Sequence, residues 1–167
     1  MSIIAPGEAA PGFDLKDHRG ELIDLQSYRG QRVVLAWHPL AWTSVCAKQM
    51  QALDTAQEAL ETLDAVGLGL SVDPVPSKEA WARDLGIVRT SLLSDFWPHG
   101  GTAERFGIFR KKDGFSERAV IVIDRGGIVR FAKVYPMSEV PDMEETLAAL
   151  RVLEGVETPD SQGRRVS

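Results

Sequence analysis

Between Arg32 and Cys46 the chain switches from strand to helix within a few residues, and no other segment limits the possible folds as strongly. Arg32-Val33-Val34-Leu35-Ala36-Trp37 is a mostly apolar run with two β-branched residues, the profile of a buried central strand. Pro39 stops it, because proline cannot donate to a sheet ladder. A helix is expected to begin at Thr43 or Ser44, with apolar or small residues recurring at Val45, Cys46, Met50, Leu53, Ala56, Leu60 and Leu63. Val66 to Val72 reads as a second buried strand, although Gly67 and Gly69 weaken it.

Around this unit the remaining segments fall into place. Phe13-Asp14-Leu15 and Glu21 to Leu25 flank Lys16-Asp17-His18-Arg19-Gly20 and predict a short hairpin. Ser77 is expected to cap a helix that runs to Leu85 and stops at Gly86. Leu92-Leu93-Ser94 predicts a short strand, and Thr102 to Phe106 a short helix ended by Gly107. Ala119 to Ile123 and Ile128 to Val134 predict two strands joined by a tight turn at Asp124-Arg125-Gly126-Gly127. A last amphipathic helix is expected from Pro141 to Leu153. The order βαβ, αβ, ββα demands parallel strands early and a helix-covered hairpin late. The expected fold is therefore α/β and thioredoxin-like, a central mixed sheet flanked by helices with an added N-terminal hairpin. One domain over 1–155 is expected, followed by a flexible tail over 156–167.

Composition excludes several classes of function. A formal net charge of −5 argues against a nucleic-acid partner, which requires a basic face. No run approaches the roughly 18–20 consecutive apolar residues of a membrane span. Residues 1–8 have neither a basic start nor an adequate apolar run for a secretory signal. One cysteine excludes both an intramolecular disulfide and a CxxC pair, and suits a reducing, cytoplasmic setting. The spacing of His18, His38 and His99 suggests no metal site. Gly67-Leu68-Gly69 follows a helix and lacks a third glycine, so it is not a dinucleotide loop, and no cofactor is implied.

The segment His38-Pro39-Leu40-Ala41-Trp42-Thr43-Ser44-Val45-Cys46 carries the chemistry. A cap at Thr43 or Ser44 places Cys46 in the first helical turn, where free backbone N–H groups and the helix dipole stabilise a thiolate. The dipole contributes about 0.3–1 kcal/mol, up to ~2 when partly buried. A tenfold change in the thiolate-to-thiol ratio takes about 1.4 kcal/mol. The dipole alone therefore leaves much of an ordinary thiol protonated at neutral pH. A guanidinium near 4 Å adds roughly 1–4 kcal/mol. The site needs a cation.

Pro39, Thr43 and Cys46 form a Pro-x-x-x-Thr-x-x-Cys pattern that resembles the active-site motif of peroxiredoxins. The resemblance extends from Gly12-Phe13 to about Leu153, through Leu70-Ser71-Val72-Asp73, Ala80-Trp81, Leu93 to Gly100 and Arg118 to Asp124. It is nearest the alkyl hydroperoxide reductase E-like and bacterioferritin-comigratory branch, in its single-cysteine form. The resemblance implies a thiol-dependent peroxidase with Cys46 as peroxidatic cysteine, oxidised by a hydroperoxide to a sulfenic acid. It further implies that Thr43 hydrogen-bonds thiolate and peroxide, that Pro39 shields the sulfur from water, and that Arg118 supplies the cation. Backbone N–H groups of Val45 and Cys46 complete the implied peroxide site. Where some relatives carry a second cysteine, five positions on, this chain has Gln51. Recycling then requires an external thiol: thioredoxin, a glutaredoxin-like protein or a low-molecular-weight thiol. Gln49 stands where many members carry Glu, and His38 where an aromatic residue is frequent. Relatives commonly form homodimers, and apolar surface near Trp42 or Trp97 suits that purpose.

Plainer roles compete at each position. A lone cysteine is often a small buried apolar residue, Thr43 a simple helix cap, Pro39 a strand terminator, and Arg118 a solvated residue on an edge strand. Two other functions use the same sequence: a redox sensor or relay that passes its oxidation to a partner, and an interaction module with a structural cysteine. His18 reads as a turn residue, His99 as a loop or capping residue, and Lys111-Lys112 as a solvated turn.

Overall fold

Alternating apolar side chains separate the molecule into two cores on opposite faces of one sheet. In the computed structural model, which describes residues 2–157, the order is β1 (Asp14–Lys16), β2 (Leu22–Asp24), β3 (Arg32–Trp37), α1 (Ser44–Thr62), β4 (Ala65–Ser71), α2 (Val75–Leu85) and β5 (Ser91–Ser94). It continues through α3 (Gly101–Arg105), β6 (Phe109–Arg110), β7 (Phe115–Ser116), β8 (Arg118–Ile123), β9 (Val129–Tyr135) and α4 (Met143–Glu157). The main sheet runs β5-β4-β3-β8-β9. Strand β4 is parallel to both β3 and β5, whereas β8 is antiparallel to β3 and β9. This is the expected thioredoxin-like mixed sheet, and β1 and β2 form the added hairpin.

Along β3, Val34 and Ala36 face a core with Leu53 and Leu60 of α1, Trp81 of α2 and Leu150 of α4. Val33, Leu35 and Trp37 face the other core, with Phe13, Leu15 and Phe106. Period-two alternation carries this rule to the strand ends. On β8 it groups Arg118 with Val120 and Val122, on the face that packs against α1 and α4. On β4 it points Gly67, Gly69 and Ser71 toward α1.

The two β4 glycines do not mark weakness. A Cβ on Gly67 would lie 2.7 Å from Leu53 Cδ1, and one on Gly69 would lie 2.5 Å from Met50 Sδ. Their missing side chains let α1 settle directly on the strand.

Several boundaries differ from expectation. Ser77 does not cap α2. The helix starts at Val75 with Pro74 as its N-cap residue, and proline's fixed φ suits a helix entrance. Gly86 ends α2 at φ +71, in the left-handed region that glycine tolerates. Leu25 leaves the strand for a 3-10 turn over Leu25–Tyr28, capped by the Asp24 side chain. The two-residue strands β6 and β7 form a small hairpin that no apolar periodicity announced. The last helix starts at Met143 instead of Pro141 and passes Leu153 to Glu157. The tail expected over 156–167 lies outside the described residues from 158 onward. No helix among the described residues is long and apolar enough to cross a membrane.

Candidate active site

Helix α1 begins where the sequence predicts, with Thr43 extended at its N-cap (φ −114, ψ 149). The Ala47 N–H closes on the Thr43 carbonyl at 2.9 Å. The N–H groups of Ser44, Val45 and Cys46, one turn earlier, thus have no acceptor within the helix. Cys46 lies in this turn and is only 1% exposed. The Thr43 hydroxyl does not cap the helix; it donates to the Leu40 carbonyl at 2.8 Å. Pro39 is buried. Trp42 adopts φ +67, a conformation that costs a bulky residue about 1–3 kcal/mol. Its indole N–H donates to Ser77 Oγ at 3.1 Å and ties the strained residue to α2.

Arg118 is not on an edge strand. Strand β8 lies between β3 and β9, and Arg118 is 3% exposed. Its Nη1 lies 3.4 Å from Cys46 Sγ and donates to Gln49 Oε1 at 2.7 Å, while Nη2 donates to the Met137 carbonyl at 3.0 Å. The guanidinium is thereby fixed against the sulfur. A planar, preorganised cation can make charge-assisted bonds of this kind to an anionic acceptor.

Gln49 lies on α1, three residues past Cys46. Its Oε1 accepts from Arg118 and its Nε2 donates to the Trp37 carbonyl at 3.2 Å. The amide bridges helix and strand without adding a negative charge beside the guanidinium. Gln49→Leu is expected to cost about 1–3 kcal/mol, because two buried polar partners lose their bonds. A urea midpoint unchanged from the parent protein would refute that role.

His38 is fully buried and packs on Trp81 with ring centroids 5.3 Å apart. Its Nε2 also lies 3.4 Å from Lys78 Nζ, so it both packs and meets a polar partner. Burial, and next the Lys78 ammonium, hold its pKa well below the ordinary imidazole value, which leaves the ring neutral. The sequence reading did not single out Lys78. A signal was present: positions 78, 81, 82 and 85 form the inward stripe of α2, and three of them are apolar. A lysine in such a stripe stands out. Among the remaining histidines, His18 accepts the Leu92 N–H at 3.2 Å, and His99 Nε2 lies 2.7 Å from the Gly114 carbonyl. Trp42 and Trp97 are 54% and 81% exposed, so both present apolar surface outward.

The structure thus gathers Cys46, Arg118 and the first turn of α1 at one point, with Pro39 and Thr43 in the loop that leads there. The model of the AhpC/TSA family matches residues 6–132. The chain is 38% identical over 148 residues to proteins named alkyl hydroperoxide reductase E from Mycobacterium tuberculosis and Mycobacterium bovis, covering 86% of this chain and 96% of theirs. It is 31% identical over 153 residues to peroxiredoxin 2 of Thermoplasma acidophilum, covering 89% of this chain and 75% of that one. Among solved structures, the reduced 2-Cys peroxiredoxin of Plasmodium vivax superposes with a TM-score of 0.82 at 26% identity, over 89% of this chain and 81% of that one. The chain belongs to the AhpC/TSA family of peroxiredoxins and is a thiol-dependent peroxidase.

Proposed function

We propose that Cys46 is the attacking thiolate and that Arg118, Thr43, Pro39 and the first turn of α1 form its hydroperoxide site. The contact that carries this reading is the 3.4 Å approach of Arg118 Nη1 to Cys46 Sγ. The thiolate attacks one peroxide oxygen in line and the O–O bond breaks. With one proton taken up, the products are a Cys46 sulfenic acid and an alcohol or water. Arg118 and the N–H groups of Val45 and Cys46 face the charge that grows on the departing oxygen. Thr43 spends its hydroxyl proton on Leu40 and keeps lone pairs for the peroxide O–H. Pro39 excludes water beneath the sulfur.

The sequence contains no second cysteine, so an external thiol condenses with the sulfenic acid and a further thiol displaces it. Thioredoxin, a glutaredoxin-like protein and a low-molecular-weight thiol all meet that requirement, in a reducing, cytoplasmic setting. Leu40, Trp42, Phe96 and Trp97 are exposed apolar residues, and a second copy of the chain is the proposed partner for that surface.

Reduced protein mixed with a slight excess of hydroperoxide and a sulfenic-acid trap is expected to gain one adduct on the Cys46 peptide by mass. Unmodified Cys46 with surviving peroxide would remove the proposed mechanism.

A further inference from the structure

Buried polar groups that the peroxide chemistry leaves unused converge beneath the Pro39–Cys46 loop. Lys78 of α2 is 0% exposed. Its Nζ donates to Ser71 Oγ and lies 3.4 Å from His38 Nε2. Ser71 Oγ donates in turn to Asp73 Oδ2 at 2.6 Å, and the same carboxylate oxygen accepts the Ala41 N–H at 2.8 Å. The lysine therefore reaches the loop at two points: His38, just before Pro39, and Ala41, two residues after it.

We propose that Lys78 is a second cation of the Cys46 site, a positioning residue that tethers the loop on both sides of Pro39 and whose charge favours the thiolate. This rests on the reading of Cys46 as the attacking thiolate. An ammonium is expensive to bury and needs nearby negative charge. The negative charges that act on it come from several elements: Asp73 after β4, the Cys46 thiolate on α1 and Asp95 after β5. All three favour its charge, while burial opposes it more strongly and brings its pKa down to about 7. The His38 ring beside it is neutral, and His18, in the turn between β1 and β2, feels the same ammonium.

The attraction is reciprocal, since a thiolate that favours the ammonium is favoured by it equally. The sign follows. Below about pH 7 the ammonium is present and supports the thiolate; as pH rises through that value the support is withdrawn.

Iodoacetamide alkylation of reduced protein, followed by mass from pH 4 to 10, tests this. In the parent protein the rate profile is expected to be broader than a one-proton curve. Lys78→Met is expected to narrow it to one-proton width and raise its midpoint by about one pH unit. A one-proton parent profile, or a Lys78→Met profile that superimposes on the parent, overturns the proposal. If near-ultraviolet circular dichroism shows the variant unfolded, the width of the parent profile decides alone. Alkylation reads the thiolate without peroxide, so this outcome is separable from failure of the sulfenic-acid trap.

Discussion

Arg118→Met is expected to slow the reaction of Cys46 with a hydroperoxide by roughly 10²–10³-fold at neutral pH, the usual loss when one preorganised donor is removed from a buried reacting centre. Methionine keeps much of the length and apolar stem but removes the charge and all three contacts: to Cys46 Sγ, Gln49 Oε1 and the Met137 carbonyl. The sulfur loses the cation that the helix dipole cannot replace, because the dipole supplies about 2 kcal/mol at most. Arg118→Lys should recover only part of the rate, since an ammonium has no fork to hold several acceptors at once. Stopped-flow tryptophan fluorescence gives the second-order constant, and near-ultraviolet circular dichroism controls for folding. A constant within threefold of the parent for Arg118→Met would exclude the guanidinium from the chemistry.

Gly69→Val is expected to destabilise the fold by about 1–3 kcal/mol through overpacking. The new Cβ would lie 2.5 Å from Met50 Sδ and 2.8 Å from Leu92 Cδ2, both buried, with His38 Cε1 at 3.6 Å behind them. The two γ-methyls then need space that Met50 cannot give without moving. Met50 lies one turn beyond Cys46 on α1, so that movement also disturbs the sulfur's position. Urea unfolding with unchanged slope and a lower midpoint would show the effect. A midpoint within error of the parent would mean that α1 is held less tightly than its geometry indicates.

Much of this was legible in the residues, for identifiable reasons. Arg32 to Trp37 is a continuous buried strand, and such runs announce themselves by composition alone. Pro39 and the periodic residues after Thr43 place Cys46 in a helical first turn, because both signals are local. Arg118 could be assigned only by resemblance, since its partner is 72 positions away and spacing does not report contacts across a sheet. Gly67 and Gly69 read as strand weakeners because propensity describes a strand alone, whereas packing against α1 decides their value here. Ser77 looked like a cap because serine favours that role, yet Pro74 opens the helix and Ser77 receives the Trp42 indole instead. Lys78 escaped notice because surface helices are rich in lysine, and only the inward stripe marks this one.

Cys46, at 1% exposed, sets different demands on the two halves of a catalytic cycle. The tip of a hydroperoxide is two oxygens wide, far smaller than a thiol carried on a protein. On the proposed reading of Cys46, regeneration by a protein thiol would require a larger displacement of the His38–Ser44 segment than oxidation does. The bonds from the Ala41 N–H to Asp73 and from the Trp42 indole to Ser77 fasten that segment. Any such displacement would have to break them.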